Sequence, residues 1–426
     1  MKRVVVTGMA VNTPLGDTLD GFCDSLLAGK SAVTRWRGVE TANIYTKVGA
    51  DLSGYDAEPK LESLEGRVPA EVMKRLRKMV KLATFSTRLT VLCAEDAWAD
   101  ARLADVDPSE IAIITGGHNF FPNYDYQVLK DFFADPEFFD EQYAYKGLDT
   151  DQAASVSEVL GITGPIYTLG GACASTNLAL RAALDEIRHH GMKAALVVGP
   201  LFDYSPLTLQ GLALIGAASF ESFNDCPERA SRPFDVRREG FVPAHGTGVM
   251  VVEDAENALS RNTNIYAEAL GVTALSDANH LPTPSLEGET RAIRRALQEA
   301  GIAPEQVDYI SAHATSTPQG DAVEIQAIKA AFGDHAYRLK VNATKSMIGH
   351  CCWSSAVIET IAAIMQMQRS QLHPTINVEQ TDAENDLDVC AAGAVTHDIN
   401  IFMKNAFGFG GINSVALFRR FKEQSS

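Results

Sequence analysis

The 426-residue chain has no apolar stretch long and continuous enough to span a bilayer, for which a helix needs about 20 residues. No membrane association is expected. The opening "MKRVVVTGMAV" is basic, then apolar, but lacks a long apolar core with a cleavage site. It reads as a first strand rather than a signal peptide. Cysteine is sparse: Cys23, Cys93, Cys173, Cys226, Cys351, Cys352 and Cys390 are odd in number and form no CxxC pair. That argues against a disulfide framework and a structural zinc site, and favours a reducing compartment. Positive charge is also short, with 37 Lys and Arg against 54 Asp and Glu, a formal −17. General binding to nucleic acid or to an anionic membrane is disfavoured, though a local basic patch is not. No glycine-rich loop runs into a Gly-Lys-Ser/Thr, and no dinucleotide fingerprint is present, so neither ATP nor NAD chemistry is expected.

What is present is a globular composition, 46% apolar and 21% charged, on a chain long enough for two subdomains. Strand and helix patterns alternate. "GPIYTLGGA", "NLALRAALDEIRHHG" and "MKAALVVGP" read as strand, helix, strand, a parallel unit. Residues 69–100 read as strongly helical, and 201–248 as a loop-rich insertion with one apolar helix. The pattern then restarts at "NIYAEALGVTA". The order of elements predicts an α/β protein of two similar halves, 1–257 and 258–426.

Cys173 sits where a strand ends and a helix begins, behind Gly170 and Gly171. Free amide N–H groups and the positive end of the helix would lower its pKa and hold an oxyanion. Read locally, the residue is either a nucleophile or a buried thiol beside a turn. His313 follows the strand "VDYISA", and His350 follows "RLKVNA" and its loop. Both lie at strand ends, which converge on one crevice in open α/β sheets. Lys345 precedes His350 by five residues, and Glu359 lies in the apolar run "AVIETIAAI". A buried acid there needs a partner, and Lys345 is the candidate. In "NAFGFGGINS", glycines bracket Phe409 in a turn suited to a gate or an oxyanion donor. A nucleophilic thiol and two neutral histidines fit thioester chemistry: acyl transfer to cysteine, then stabilisation of an enolate formed by loss of CO2.

The chain resembles a β-ketoacyl-acyl-carrier-protein synthase of the elongating, decarboxylating type, within the thiolase-like superfamily. The markers are "GACAST" around Cys173, "SRPFDVRREGFV" at 231–242, "AHATSTPQGD" at 312–321, "TKSMIGH" at 344–350 and "GFGGIN" at 408–413. The resemblance implies the five-layered αβαβα thiolase-like fold. It implies decarboxylative Claisen condensation of a cysteine-bound acyl group with malonyl-acyl carrier protein, in fatty-acid or polyketide-type biosynthesis. Cys173 matches the acylated nucleophile, His313 and His350 the histidine pair, Lys345 the active-site lysine and Glu359 its acid. Thr315 and Thr317 match the threonines that bond the phosphopantetheine arm. Phe409 matches the gatekeeper, and the N–H groups of Cys173 and Phe409 the oxyanion hole. The resemblance implies a cytoplasmic location and no metal or redox cofactor. The implied partners are an acyl carrier protein and a second subunit, either another copy or a related synthase-like chain. The basic run Lys74, Arg75, Arg77, Lys78 and Lys81, on its own either a solvated helix face or a docking patch, becomes the expected site for the acidic carrier.

Several positions depart from the family pattern. Gly171 stands where Thr is usual, and Ala314 where Gly is. Pro243 and His245 interrupt a usually glycine- and acid-bearing stretch. "CCWSSA" replaces a small-residue run after His350, so that Trp353 adds volume at a helix contact or pocket wall. The loop "GGHNFFPNYDYQ" is unusually aromatic and borders the acyl pocket or the dimer interface. Two other readings are a malonyl decarboxylase or acyltransferase that does not condense, and a largely non-catalytic chain-length partner. Retention of Cys173, His313, Lys345 and His350 argues against the second. A thiolase would carry another cysteine in the C-terminal glycine motif.

Overall fold

The computed structural model describes residues 2–423. Ten strands form its principal sheet: β1 (Val4–Asn12), β2 (Ile111–Gly116), β3 (Ile166–Leu169), β4 (Ala194–Gly199), β5 (Thr247–Asp254), β6 (Ala267–Ser276), β7 (Tyr309–Ser311), β8 (Lys340–Asn342), β9 (Ile401–Gly408) and β10 (Ile412–Arg419). Their order is β8-β7-β9-β10-β6-β1-β5-β4-β2-β3. Read from each edge inward, the halves match: β3-β2-β4-β5-β1 answers β8-β7-β9-β10-β6. The equivalent pairs agree in sense too. β2 runs parallel to β3 and β4, as β7 does to β8 and β9, whereas β4–β5 and β9–β10 are antiparallel. Within this sheet the half-sheets pair with each other along Val4–Val6 and Ala267–Ala269.

Strands such as "VVVTGMAVN" and "AALVVG" are buried throughout, as strands covered on both faces must be. The covering elements make the layers. Helices α1 (Ala70–Leu82) and α2 (Phe85–Asp100) build an outer core with Leu76, Leu92 and Ile113. Between the half-sheets lie α3 (Ser175–His189) and α6 (Ser355–Arg369), whose Leu180, Leu184, Ile358 and Ile361 share one core with strands of both halves. Helices α4 (Leu286–Ala300) and α5 (Pro318–Phe332) close the far side with Ile293 and Ile328. These are five layers, helix–sheet–helix–sheet–helix.

The segment read as helical over 69–100 consists of two helices. The backbone is extended at Ala83 and Thr84, and the Thr84 side chain caps α2 by accepting the N–H of Thr87. The glycine motif near the C-terminus is the turn of the β9–β10 hairpin, with Gly410 and Gly411 at positive φ of 81° and 68°. At the end of β2, a Cβ on Gly116 would lie 2.7 Å from the Ser175 carbonyl oxygen and the Thr176 Cα. Its absence lets the first turn of α3 sit directly on the strand end. No described helix is long and apolar enough to cross a membrane.

Candidate active site

Equivalent strands of the two halves deliver the groups that meet here. After β3 the chain makes a single tight turn, Ala172–Ala174, and enters α3. After β8 it passes Lys345 and His350, makes the same turn at Cys352–Ser354, and enters α6. Ala172 and Cys352 hold matching left-handed backbones, φ 47° and 49°. Cys173 is the middle residue of the first turn and Trp353 of the second. The histidines follow a second equivalence, for His313 lies two residues past β7 and His118 two residues past β2. Gly171, where the family carries Thr, has the Leu178 side chain in the space a Cβ would need, at 2.3 Å.

Cys173 Sγ lies 3.2 Å from Nε2 of His350. The opposite nitrogen, Nδ1, accepts the N–H of Cys352 at 3.2 Å and stands 2.8 Å from the Ser355 hydroxyl. A backbone N–H can only donate, so the neutral ring carries its proton on Nε2, facing the sulfur. Phe241 packs edge-on to this ring, with centroids 5.0 Å apart. The His313 ring stands nearly perpendicular to that of His350, at 5.7 Å. Cys173 Sγ and nitrogens of both rings lie within 4.8 Å of one another. Because the His350 nitrogen facing the thiol is a donor, the cluster is arranged to hold an oxygen anion rather than a cation.

Beneath the rings runs a buried ion-pair chain. Lys345 Nζ lies 2.6 Å from one oxygen of Glu359, and Lys404 Nζ lies 2.5 Å from the other. The three side chains are 1%, 1% and 0% exposed. Lys345 is thus the expected partner of Glu359, and Lys404 is a second one that the sequence reading did not single out. Lys345 also donates to the His313 carbonyl at 2.7 Å, and Lys404 to the carbonyls of Ala312 at 3.2 Å and Asn405 at 2.6 Å. From the other side, Glu324 accepts the N–H groups of His313 and Ala314 at 2.8 and 2.7 Å, and Asn405 Nδ2 bonds Glu324 at 2.9 Å. The main chain at His313 is therefore gripped at both its N–H and its C=O.

These surroundings set the protonation states. Burial, then the charge of Lys345, pushes the His350 ring well below the usual histidine range, and Lys404 adds to the effect. His313 is lowered in the same way, with His350 itself contributing. The expected fall in the Cys173 pKa does not occur. Burial outweighs the other influences and pushes the thiol up to about 11, against the opposing pull of Lys345 and the N–H groups of Cys173 and Phe409. The resting sulfur is a thiol.

Two cavities open on Cys173 and share Phe241, His350 and Phe409 as walls. One, of about 360 Å³, is lined by His313, Thr315 and Thr317, whose hydroxyls lie 3.1 Å apart. The other, of about 610 Å³, runs past His118, Phe202 and Trp353. Phe409 is exposed at the junction. His118 of the aromatic loop borders this second cavity, whereas Phe120 and Phe121 are core residues. His245 lies buried 3.4 Å from Asp51, away from both cavities. On α1 the expected five-residue patch is reduced to three. Arg75 donates to the Val159 carbonyl at 2.8 Å, and Arg77 is paired with Glu58 and Glu65 at 2.8 and 2.6 Å. Lys74, Lys78 and Lys81 are exposed.

Comparisons with known proteins agree with this geometry. Residues 1–258 match the model of the β-ketoacyl synthase N-terminal domain, and 266–379 that of its C-terminal domain. A 3-oxoacyl-[acyl-carrier-protein] synthase 2 of Coxiella burnetii is 34% identical over 428 residues, covering 98% of this chain and 99% of the relative. A polyketide biosynthesis malonyl-ACP decarboxylase of Bacillus subtilis is 31% identical over 423 residues, covering 99% and 98%. Among solved structures, the ishigamide ketosynthase/chain length factor superposes with a TM-score of 0.87 at 28% identity, covering 99% of this chain and 100% of that one. A type II polyketide ketosynthase solved in complex with its acyl-carrier protein gives 0.84 at 28% identity, with the same coverage. On its motifs, its layers and both domain matches, this chain belongs to the β-ketoacyl synthase family of thiolase-like condensing enzymes.

Proposed function

We propose that the chain joins a cysteine-bound acyl group to malonyl-acyl carrier protein by decarboxylative Claisen condensation. The observation that carries this reading is the Cys173 sulfur held 3.2 Å from a protonated His350 nitrogen, with a second histidine alongside. Cys173 attacks the acyl thioester, and the N–H groups of Cys173 and Phe409 bind the developing oxyanion. The pantetheine thiol leaves and takes the proton that the cysteine loses. The arm of the malonyl carrier then lies along Thr315 and Thr317. His313 and His350, both neutral, donate to the malonyl thioester oxygen, CO2 leaves, and the electron pair is held as an enolate. The enolate carbon attacks the acyl-cysteine carbonyl and expels the Cys173 sulfur as a thiolate, which takes up a proton from solvent to restore the resting thiol. The product is a β-ketoacyl thioester two carbons longer.

Intact-mass and product analysis with acyl- and malonyl-carrier substrates tests this directly. An acyl adduct that disappears in Cys173→Ala, together with a β-keto product, is the expected result. CO2 release with no extension would instead favour the decarboxylase reading, which the Bacillus subtilis relative's name carries.

The two histidines are arranged to act as neutral donors: a second proton on His350 would sit on Nδ1 and face the Cys352 N–H that this nitrogen accepts. Lys404 is a positioning residue: it touches no reacting atom, but holds Glu359 and the Ala312 carbonyl and adds positive charge below both rings. Removing that charge must raise the histidine pKa values, so the acid limb of malonyl decarboxylation moves to higher pH. For Lys404→Met we expect that displacement and a decarboxylation rate at least about tenfold lower on the acid side, with acylation of Cys173 in mild alkali little changed. An equal loss at every pH would show a merely structural role.

The exposed Lys74, Lys78 and Lys81 support docking of an acidic carrier on α1, despite the net charge of −17. Reversing all three to Glu should raise KM for carrier-bound substrate about tenfold or more, and leave turnover of small pantetheine-like thioesters unaltered. Equal effects on both substrates would remove the assignment. The open edge of β3, with Ile166 exposed, and the exposed Leu129, Phe132, Phe133 and Phe138 support a dimer. Sedimentation at micromolar concentration should give twice the chain mass, and a monomer there would contradict it. The odd number and scatter of the cysteines support a reducing setting, and family membership a cytoplasmic one; cell fractionation should recover the chain in the cytosol, and recovery from an oxidising compartment would contradict this.

A further inference from the structure

The cavity running from Cys173 past His118 has a filled end. The indole of Trp353 and the imidazole of His118 lie face to face, with centroids 4.4 Å apart and planes 30° apart. The Phe202 ring meets the indole edge-on at 5.2 Å. Behind the pair there is no slack, since a Cβ on Gly117 would lie 2.9 Å from Trp353 Cδ1, and Phe120 beyond it is fully buried.

The pair is also fixed in place. The Thr176 hydroxyl, in the first turn of α3, donates to the Trp353 carbonyl at 3.0 Å and accepts the Val357 N–H of α6 at 3.0 Å. The N-terminal turns of the two central helices are thus tied together at this residue. Duplication explains the position: Trp353 occupies in the second half the turn site that Cys173 occupies in the first, and His118 the strand-end site of His313. The counterpart of the reactive pair faces the same crevice from the opposite side, and is made of two large rings.

We propose that the Trp353–His118 ring pair is the floor of the acyl site and restricts the group carried on Cys173 to short chains. The inference rests on Cys173 as the acyl carrier of the proposed condensation. The side of the cavity near Leu212 and His280 opens towards the surface, but a straight chain leaving the sulfur towards β2 meets the rings. A chain that stops short of them is accepted, and each methylene that would have to enter the space the rings fill should cost about tenfold or more in kcat/KM.

The size of the site can be read without any catalysis. Linear alkyl methanethiosulfonates from methyl to decyl form a mixed disulfide with the cysteine and release methanesulfinate. Labelling of the full chain, mapped to Cys173 by peptide mass, should fall steeply beyond butyl. Trp353→Ala should extend labelling to hexyl and octyl by about tenfold or more, and leave methyl labelling nearly unchanged. His118→Ala, a change at a partly exposed side chain, should act in the same direction and stands in if the tryptophan variant does not fold. Equal labelling by methyl and octyl reagents in the wild-type chain, or an unchanged length profile in both variants, would overturn the floor. Acyl-carrier substrates of the same lengths form a second arm. If short and long chains label as predicted but no acyl group transfers, the floor stands and the condensation reading fails.

Discussion

The Lys345–Glu359–Lys404 chain puts two ammonium groups and one carboxylate where almost no water reaches. Taking such charges out of water costs several kcal/mol each unless further partners satisfy them. Here the partners are main-chain carbonyls, and two of them, those of Ala312 and His313, belong to the segment that carries His313. The cost of burial is thereby tied to the placement of a ring. The same charges act on protonation. Both lysines disfavour a third cation nearby, and the histidines are the groups that would otherwise take a proton. One arrangement fixes where the ring stands and that it stays neutral. Glu324 completes the grip by taking the N–H groups that follow.

Duplication explains how such a site is assembled. Each half contributes one turn between an edge strand and a central helix, and one strand end beside it. The first half's turn holds the nucleophile. The second half's strand end and pre-turn loop hold the two histidines. The leftover positions, His118 and Trp353, became walls. Because α3 and α6 are packed against each other between the sheets, the four positions converge within one crevice rather than on two separate faces. Fold and chemistry therefore share a cause: the central helix layer that closes the core also brings the turns together.

Much of this was legible beforehand, and the exceptions have physical reasons. Cys173, His313, Lys345 and His350 stood at strand ends next to glycines or turn formers, where local pattern is informative. Glu359 declared itself as an acid inside an apolar helix. Lys404 did not, although "IFMKNAFG" places it on the same strand face as Phe402, which is buried. A charge at that period-two position was the available signal, and Glu324 in "AVEIQAI" was a similar one. The depth of the thiol had no sequence signature: a helix start argues for a lowered pKa, but burial in the folded chain reverses the sign. Arg75 and Arg77 share the helix with three exposed lysines, yet their partners lie at Glu58, Glu65 and Val159, in other elements. Trp353 was visible as added volume, while its stacking on His118 needed the two halves brought face to face.

The claim on which the rest depends is that both rings remain neutral, with the His350 proton held on Nε2 by the Cys352 amide. Nitrogen NMR of the full chain labelled at histidine, with His313 and His350 assigned by single substitution, observes this directly. The account predicts that neither ring titrates as the pH falls through the ordinary histidine pKa of about 6.5, and that His350 shows the Nε2–H tautomer throughout. A ring that gains a proton near that pKa, or a His350 found as the Nδ1–H tautomer, would contradict it.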